Sequence, residues 1–519
     1  MTPAGVVTSA LPLAPVLVPL GLGLLMLVPL RRPLKVALSV GTALLTLLFA
    51  LLLAAQTAGG QVLVSELGGW PAPFGIVLAA DRLGAFMSVL GAVTGVFAAW
   101  QMAAQPDPVR ERHHSFALTS FLMTGVQLSF LTGDLFNLFV AFEVMLVASY
   151  ALSVLGSTRE QLREGFRYIV MNLAASALLV VACGLAYGVL GTLNFAHLAQ
   201  RSAEVGPNAT VTSVAALLLL VFSAKGALFP LGFWLPGTYP VIPAASGTFF
   251  ASILTKVGVY ALIRVFTTVF VQETEVTRTL LLVLGSLTML YGALGAVSQR
   301  EWRRILSFTV VASVGYMAFG LGIGTPEALR ATLAYLAVSV AVTLALFLLT
   351  AVAERSSGTR LVKVRGMLEH SPLLASAFLL CALTVAGLPP TGGFVAKYAL
   401  IRAGVQEGSA LTLVAVGAAL LSSLVLLYAM LSVWRGFFWG KHPAGEVVRP
   451  VPLALRLPMY TACAAVLGVT VFAGPLVRHA GNVARDLKDN THYIRGVLGD
   501  SPVVIPEPPT EKHKKEETH

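Results

Sequence analysis

Charge is what this sequence has least of. Only 11% of its 519 residues are Asp, Glu, Lys or Arg, while hydrophobic residues make up 56% and mean hydropathy is +0.82. A water-soluble surface needs about a quarter of its residues charged, so a soluble multi-domain enzyme is excluded. Cysteine is almost missing. Cys183, Cys381 and Cys463 each stand alone in an apolar stretch, which excludes a disulfide scaffold and a thiolate metal cluster and leaves packing as the expected role. There is no Gly-x-x-x-x-Gly-Lys-[Ser/Thr] phosphate loop and no HExxH. A cofactor is therefore not expected, nor is catalysis by the chain alone. The nine histidines lie in loops, near span ends or in the tail, so no histidine relay within a membrane is expected. The first ten residues carry no Lys or Arg. The basic start of a cleaved leader is missing, and the first apolar stretch is expected to be retained.

What is present is length of apolar run. A window of ~20 residues, the span of a bilayer core, finds fourteen candidate helices near 9–30, 35–55, 82–104, 116–132, 135–156, 166–190, 211–237, 243–271, 277–297, 303–324, 327–353, 371–403, 409–438 and 452–475. The runs are too long and too unbroken for the short alternating strands of an outer-membrane barrel. The expected fold is an all-α polytopic membrane protein.

The net charge of +11 then reports topology rather than nucleic acid, and no nucleic-acid partner is expected. Nineteen Lys and Arg fall in loops after odd-numbered spans, among them Arg31, Arg110, Arg159, Arg303 and Arg355. Only Arg82, Arg201, Arg278, Arg330 and Arg402 belong to the even side. That asymmetry puts the odd loops in the cytoplasm and the N-terminus outside. The basic tail, with Arg478, Arg485 and Lys488, disagrees in sign, but tail charges weigh little in the rule. Val477, Ala480, Ala484, Leu487, Ile494 and Leu498 keep helical spacing, which predicts an amphipathic helix on the lipid surface or on a partner. Residues 501–519, rich in Pro, Lys and Glu, read as disordered.

Four charges sit where none should. Glu143, Lys225, Lys256 and Lys397 lie well inside apolar spans. Each costs at least ~2.5–3.5 kcal/mol in a bilayer centre, so the set costs roughly 10 kcal/mol unless paired or hydrated. Lys225 precedes Gly226-Ala227-Leu228-Phe229-Pro230, and Lys397 follows Gly387-Leu388-Pro389-Pro390-Thr391-Gly392-Gly393. Proline removes a backbone donor and glycine permits unwinding, so the seventh and twelfth spans are expected to be discontinuous. Broken helices at midplane point to a transport site. The breaks are five spans apart, which suggests two inverted five-helix repeats, spans 4–8 and 9–13. The chain then divides into 1–115, 116–271, 272–438 and 439–519. A structural ion pair with Glu143 is the plainer reading of Lys225. Arg264 is expected to snorkel outward, Asp81 to cap or rim the third span, and Asp134 to cap the fifth helix. On the eleventh span, Thr332, Ser339, Thr343 and Thr350 share a face, fit either for a water chain or for bonds to backbone carbonyls.

Two stretches carry a family resemblance. Thr132-Gly133-Asp134-Leu135-Phe136-Asn137-Leu138-Phe139-Val140-Ala141-Phe142-Glu143-Val144-Met145-Leu146 resembles the fifth-helix motif of the D-type subunit (MrpD) of Mrp-type cation/proton antiporters. So does Gly68-Gly69-Trp70-Pro71-Ala72-Pro73-Phe74-Gly75-Ile76-Val77 before the third span. Gln299 to Ser307 and Gly387 to Phe394 are similar to the middle domain of the wider superfamily, which includes antiporter-like subunits of respiratory complex I and of membrane-bound hydrogenases. The resemblance covers spans two to fourteen. It implies a relay Lys225–Lys256–Lys397 in which Glu143 pairs with Lys225, driving proton movement coupled to Na+ efflux. It implies partner subunits of types A, B, C, E, F and G, a lipid environment and a cell (plasma or inner) membrane location. Relatives often carry a His-Ser-x-x-x-Lys pattern on the eleventh helix. Here Val338, Ser339 and Thr343 stand in those places, so water held by Ser339 and Thr343 would have to complete the link. A proton-pumping subunit of complex I or of a hydrogenase is the alternative.

Overall fold

The computed structural model describes residues 6–206, 208–271, 274–361, 364–442 and 448–499; the expected disorder of 501–519 lies outside them. Helix dominates. Among the described residues eleven helices are long and apolar enough to cross a membrane, and three shorter apolar ones, Leu11–Leu25, Ser115–Leu131 and Pro372–Ala386, accompany them. Together they fall on the fourteen expected segments, whose ordinals are kept below. The eighth (Ala244–Val269), tenth (Trp302–Ile323) and eleventh (Pro326–Ser356) segments are almost wholly buried and form the centre. Peripheral helices turn Leu and Val outward, as Leu173, Val180, Val181 and Leu185 do on the sixth (Arg159–Leu190). That is the solvent preference of a bilayer rather than of water.

Both expected breaks are present. In the seventh segment the helix Ala209–Gly226 stops at Ala227, which is left-handed (φ 63), and a short helix Leu235–Val241 follows. In the twelfth, Pro372–Ala386 ends at left-handed Gly387 (φ 78) and Gly392–Glu407 resumes. The eighth segment departs from the expected continuous helix. π-helical turns at Phe250–Leu254 and Val265–Val269 bracket the regular stretch Thr255–Arg264.

A strictly all-α fold needs one correction. β1 (Val7–Thr8) runs parallel to β2 (Leu63–Glu66), which pairs antiparallel with β3 (Val77–Ala80). These strands are too short for a membrane-length window, and their β-branched residues are what favour extension. They also join the two motif stretches, because the Gly133 N–H donates to the Val77 carbonyl at 2.9 Å.

The loops sort by parity. Odd loops bond odd loops: Arg304 meets Glu160 at 2.8 Å, and Arg303 donates to the Ile242 carbonyl at 2.7 Å. Even loops meet the tail, whose apolar face, expected to lie on lipid or on a partner, packs on the chain itself. Its helices Ala473–Lys488 and Asn490–Leu498 bury Ala480, Val483, Ala484, Leu487 and Leu498 against the chain itself. Asp486 pairs with Arg82 at 2.9 Å, Lys488 donates to the Gly324 carbonyl at 2.6 Å, and Asn490 donates to the Thr268 carbonyl at 3.1 Å. The tail thus gives a carboxylate to a basic residue of the even face, and its own Lys488 takes a carbonyl there.

Candidate proton-translocation site

The three intramembrane lysines share one solution to burial. Each ammonium ends on neutral oxygen, at a place where a helix is irregular or ending. Lys225 sits in the last turn before the seventh break, where helix-end carbonyls favour a cation. Its Nζ donates to Ser176 Oγ (2.7 Å) and to the Asn172 carbonyl (3.2 Å), and lies 5.5 Å from the Phe142 ring centre. Lys256 is fully buried and donates to the Ala251 carbonyl at 3.2 Å, inside the first π-helical turn. Lys397 reaches back across its own break to the Val385 carbonyl (2.8 Å) and across to Ser423 Oγ (3.0 Å), over the Tyr316 ring at 4.3 Å. The carbonyls that Lys256 and Lys397 use come from a widened turn and a helix end, which have acceptors to spare, whereas Lys225 draws on a hydroxyl and a shared carbonyl of the regular sixth helix.

The first two lysines flank a backbone crossing. A Cβ on Gly258 would lie 2.5 Å from the Gly226 nitrogen and 2.8 Å from the Lys225 carbonyl carbon. Only glycine lets the seventh and eighth segments approach so closely.

Glu143 is not joined to Lys225. No ion pair within 4 Å connects them among the described residues, and Glu143 Oε1 is buried with no hydrogen-bond partner in the protein. The expected hydroxyl face of the eleventh segment divides. Thr332 and Thr350 bond carbonyls of their own helix at 2.8 and 2.7 Å. Ser339 Oγ is buried without a protein partner, and Thr343 is buried beside it one turn along. The Tyr335 ring, on the same helix, lies tilted with its centre 5.4 Å from that of Tyr316, whose hydroxyl bonds Ser423 Oγ at 2.7 Å. Asp134 caps the fifth helix as expected, accepting from the Asn137 N–H at 2.8 Å.

Arg264 corrects the snorkelling expectation. It is 1% exposed and gripped by Asp81 through two bonds of 2.8 and 2.6 Å. The Tyr493 ring from the tail covers it at 4.8 Å. A bidentate carboxylate is a better partner than distant headgroups when it is within reach. Asp81 also caps the third helix (Arg82–Ala104), as its position in the sequence suggests, accepting from the Gly84 N–H at 2.8 Å. Sequence reasoning misses Ser176, Asn172, Ser423 and Tyr316, which hold the lysines. Their only signal is a polar residue on an otherwise apolar helix.

A bundle of long apolar helices, two of them broken, with lysines buried on neutral oxygens, is a polytopic membrane protein. A family profile described as "NADH:quinone oxidoreductase/Mrp antiporter, TM" matches residues 132–434. The D-type subunit of the Na(+)/H(+) antiporter of Alkalihalophilus pseudofirmus is 41% identical over 455 residues, covering 87% of this chain and 92% of that protein. The structure of the Mrp complex from Dietzia sp. DQ12-45-1b contains a chain that superposes with TM-score 0.88 at 30% identity, covering 94% of this chain and 99% of that one. Respiratory complex I from Thermus thermophilus matches in fold, with TM-score 0.80 at 24% identity over 92% of this chain and 99% of that one. The chain belongs to the NADH:quinone oxidoreductase/Mrp antiporter family, on the branch of the Mrp D-type subunits.

Proposed function

We propose that the chain is the proton-translocating D-type subunit of a multi-subunit Na+/H+ antiporter, working in the cell membrane beside subunits of types A, B, C, E, F and G. In this reading it crosses the membrane fourteen times with its N-terminus outside and its odd loops in the cytoplasm. Segments four to eight and nine to thirteen form two inverted repeats. Protons pass Lys225, Lys256 and Lys397, with Ser339 and Thr343 holding water between the last two. The observation that carries the reading is the set of three buried ammonium groups held by neutral oxygen alone, beside a carboxylate that has a free oxygen. A buried lysine without a fixed counter-charge is able to lose its proton. If Glu143 closes to about 4 Å from Lys225, the charged ammonium gains roughly 4 kcal/mol at an effective dielectric of 20. If it withdraws, that gain is lost. Glu143 therefore acts as the switch that loads and unloads Lys225, and Na+ movement elsewhere in the complex drives it.

The test is Na+-driven proton flux in proteoliposomes of the purified complex carrying Glu143→Gln, Lys225→Ala, Lys256→Ala or Lys397→Ala. Each variant is expected to assemble and lose antiport. Full activity in any of the lysine variants would remove that residue from the relay. Co-purification of the tagged chain separates the readings, since stoichiometric flavin or iron–sulfur subunits would make it part of a redox pump.

A further inference from the structure

The sixth segment carries one buried polar stripe, Glu164, Tyr168, Asn172 and Ser176, at intervals of four residues along a single helix face. Its two ends differ. At the odd-loop end, the Glu164 carboxylate takes Arg163 at 2.9 Å and Arg167 at 3.3 Å, and both arginine side chains reach solvent. Its inner oxygen lies against Gly237, where a Cβ would come within 2.3 Å of it. Twelve residues further on, about 18 Å of helix, Ser176 and the Asn172 carbonyl hold the Lys225 ammonium. Between them the Tyr168 hydroxyl bonds Ser149 Oγ at 2.7 Å, and Asn172 Nδ2 donates to the Tyr168 carbonyl at 3.0 Å.

Four buried polar atoms surround the middle of this stripe with no hydrogen-bond partner in the protein: Glu143 Oε1, Tyr150 OH, Trp234 Nε1 and Tyr239 OH. The rings form one cluster, with Tyr150 5.3 Å and Trp234 5.1 Å from Tyr168, and Tyr239 6.0 Å from Trp234. An orphaned buried polar group is costly, and a cluster of them is satisfied by bound water. The aromatic rings alone would pack as well with phenylalanine; the hydroxyls are what a dry core does not need.

We propose that this stripe is the hydrated path by which protons reach Lys225 from the odd-loop face, with Glu164 at its mouth and the Tyr168 hydroxyl at its middle. The inference rests on the lysine relay and names its supply. Glu164 takes a proton from the odd-loop face and gives it to the first water; each hydroxyl or water beyond accepts a proton from the mouth side and passes its own onward, so only Glu164 and the terminal lysine change charge.

The experiment uses the whole complex in proteoliposomes of known orientation, with Tyr168→Phe, Glu164→Gln and Lys225→Ala compared. Tyr168→Phe and Glu164→Gln are expected to lower Na+-driven proton flux by about tenfold or more, with the Na+ concentration for half-maximal flux unchanged. In Glu164→Gln, raising a membrane-impermeant buffer on the odd-loop face alone should restore flux, which a purely structural defect would not allow. Wild-type flux in both stripe variants beside an inactive Lys225→Ala overturns the path and leaves the relay standing. Slow flux that buffer on that face does not restore also overturns the path. Wild-type flux in Lys225→Ala overturns the relay and the path with it.

Discussion

Lys256 and Arg264 lie eight residues apart on the same buried helix, and they are treated in opposite ways. Lys256 has one backbone carbonyl as its partner. Arg264 has both oxygens of Asp81, the Tyr260 hydroxyl at 3.3 Å and a tyrosine ring over its guanidinium. A fully paired guanidinium is a fixed charge that ties the third and eighth segments and the tail together. An ammonium on neutral oxygen keeps the option of becoming neutral. A buried cation that is to carry protons must be left without a permanent anion, and one that is to hold a fold must be given one.

That contrast can be broken from either side. The largest effect is expected from Lys256→Arg. An arginine there stays charged at every accessible pH, so proton flux should fall at least ~100-fold, as proton-transfer groups contribute on that scale, while the complex still assembles. Retained flux would show that Lys256 need not deprotonate. Next is Asp81→Ala, which strands a buried guanidinium and is expected to cost about 3–5 kcal/mol. Thermal unfolding of the detergent-solubilised complex measures this, and Asp81→Ala with Arg264→Leu should regain most of it. No recovery in the double variant would deny Arg264 its role as the stranded charge.

Smaller effects sharpen the comparison among the lysines. Ser176→Ala removes the shorter of the two bonds to Lys225, and Ser423→Ala removes one of two to Lys397. A hydrogen bond to a charged group is worth about 1.5–3 kcal/mol. Ser176→Ala should change flux more, because Lys397 keeps a shorter carbonyl bond (2.8 against 3.2 Å) and a closer ring (4.3 against 5.5 Å) than Lys225 does. Equal effects would mean that the ring contributes nothing.

The smallest effect belongs to the clamp. His479, on the tail helix against Phe86 (ring centres 5.7 Å), is pushed below the usual histidine range by burial and then by nearby Arg82. The unfolded chain therefore takes up the proton first as pH falls through about 6.5. Stability conferred by the tail is full above that pH and declines below it. His479→Phe should flatten the acid side of a thermal-stability profile, and an unchanged slope would assign that decline elsewhere.

Much of this is legible in the amino-acid sequence. Charges are so rare in the spans that Glu143, Lys225, Lys256 and Lys397 stand out unaided, and Gly-Pro clusters mark both breaks. Partners are not legible. The short strands fall below the length of any membrane window. Arg264 near a helix end reads as a snorkelling residue until Asp81, 183 positions away, is folded against it. The π-helical turns that free a carbonyl for Lys256 have no compositional signature, because their widening is set by packing. A direct Glu143–Lys225 pair follows naturally from opposite charges in one apolar region, yet geometry leaves one oxygen of the glutamate unbonded.

The tail has a consequence in time as well as in space. Asp486, Lys488, Asn490 and Tyr493 join parts of the chain made between 164 and 404 residues earlier, at Arg82, Gly324, Thr268 and Arg264. During synthesis the third, eighth and tenth segments enter the membrane long before those residues exist. Until then one side of Arg264 lacks its cover, and the even face stays open. The last helices to be made therefore act as a seal of completion: a chain interrupted before them has all three buried lysines, but lacks the piece that locks the bundle around them.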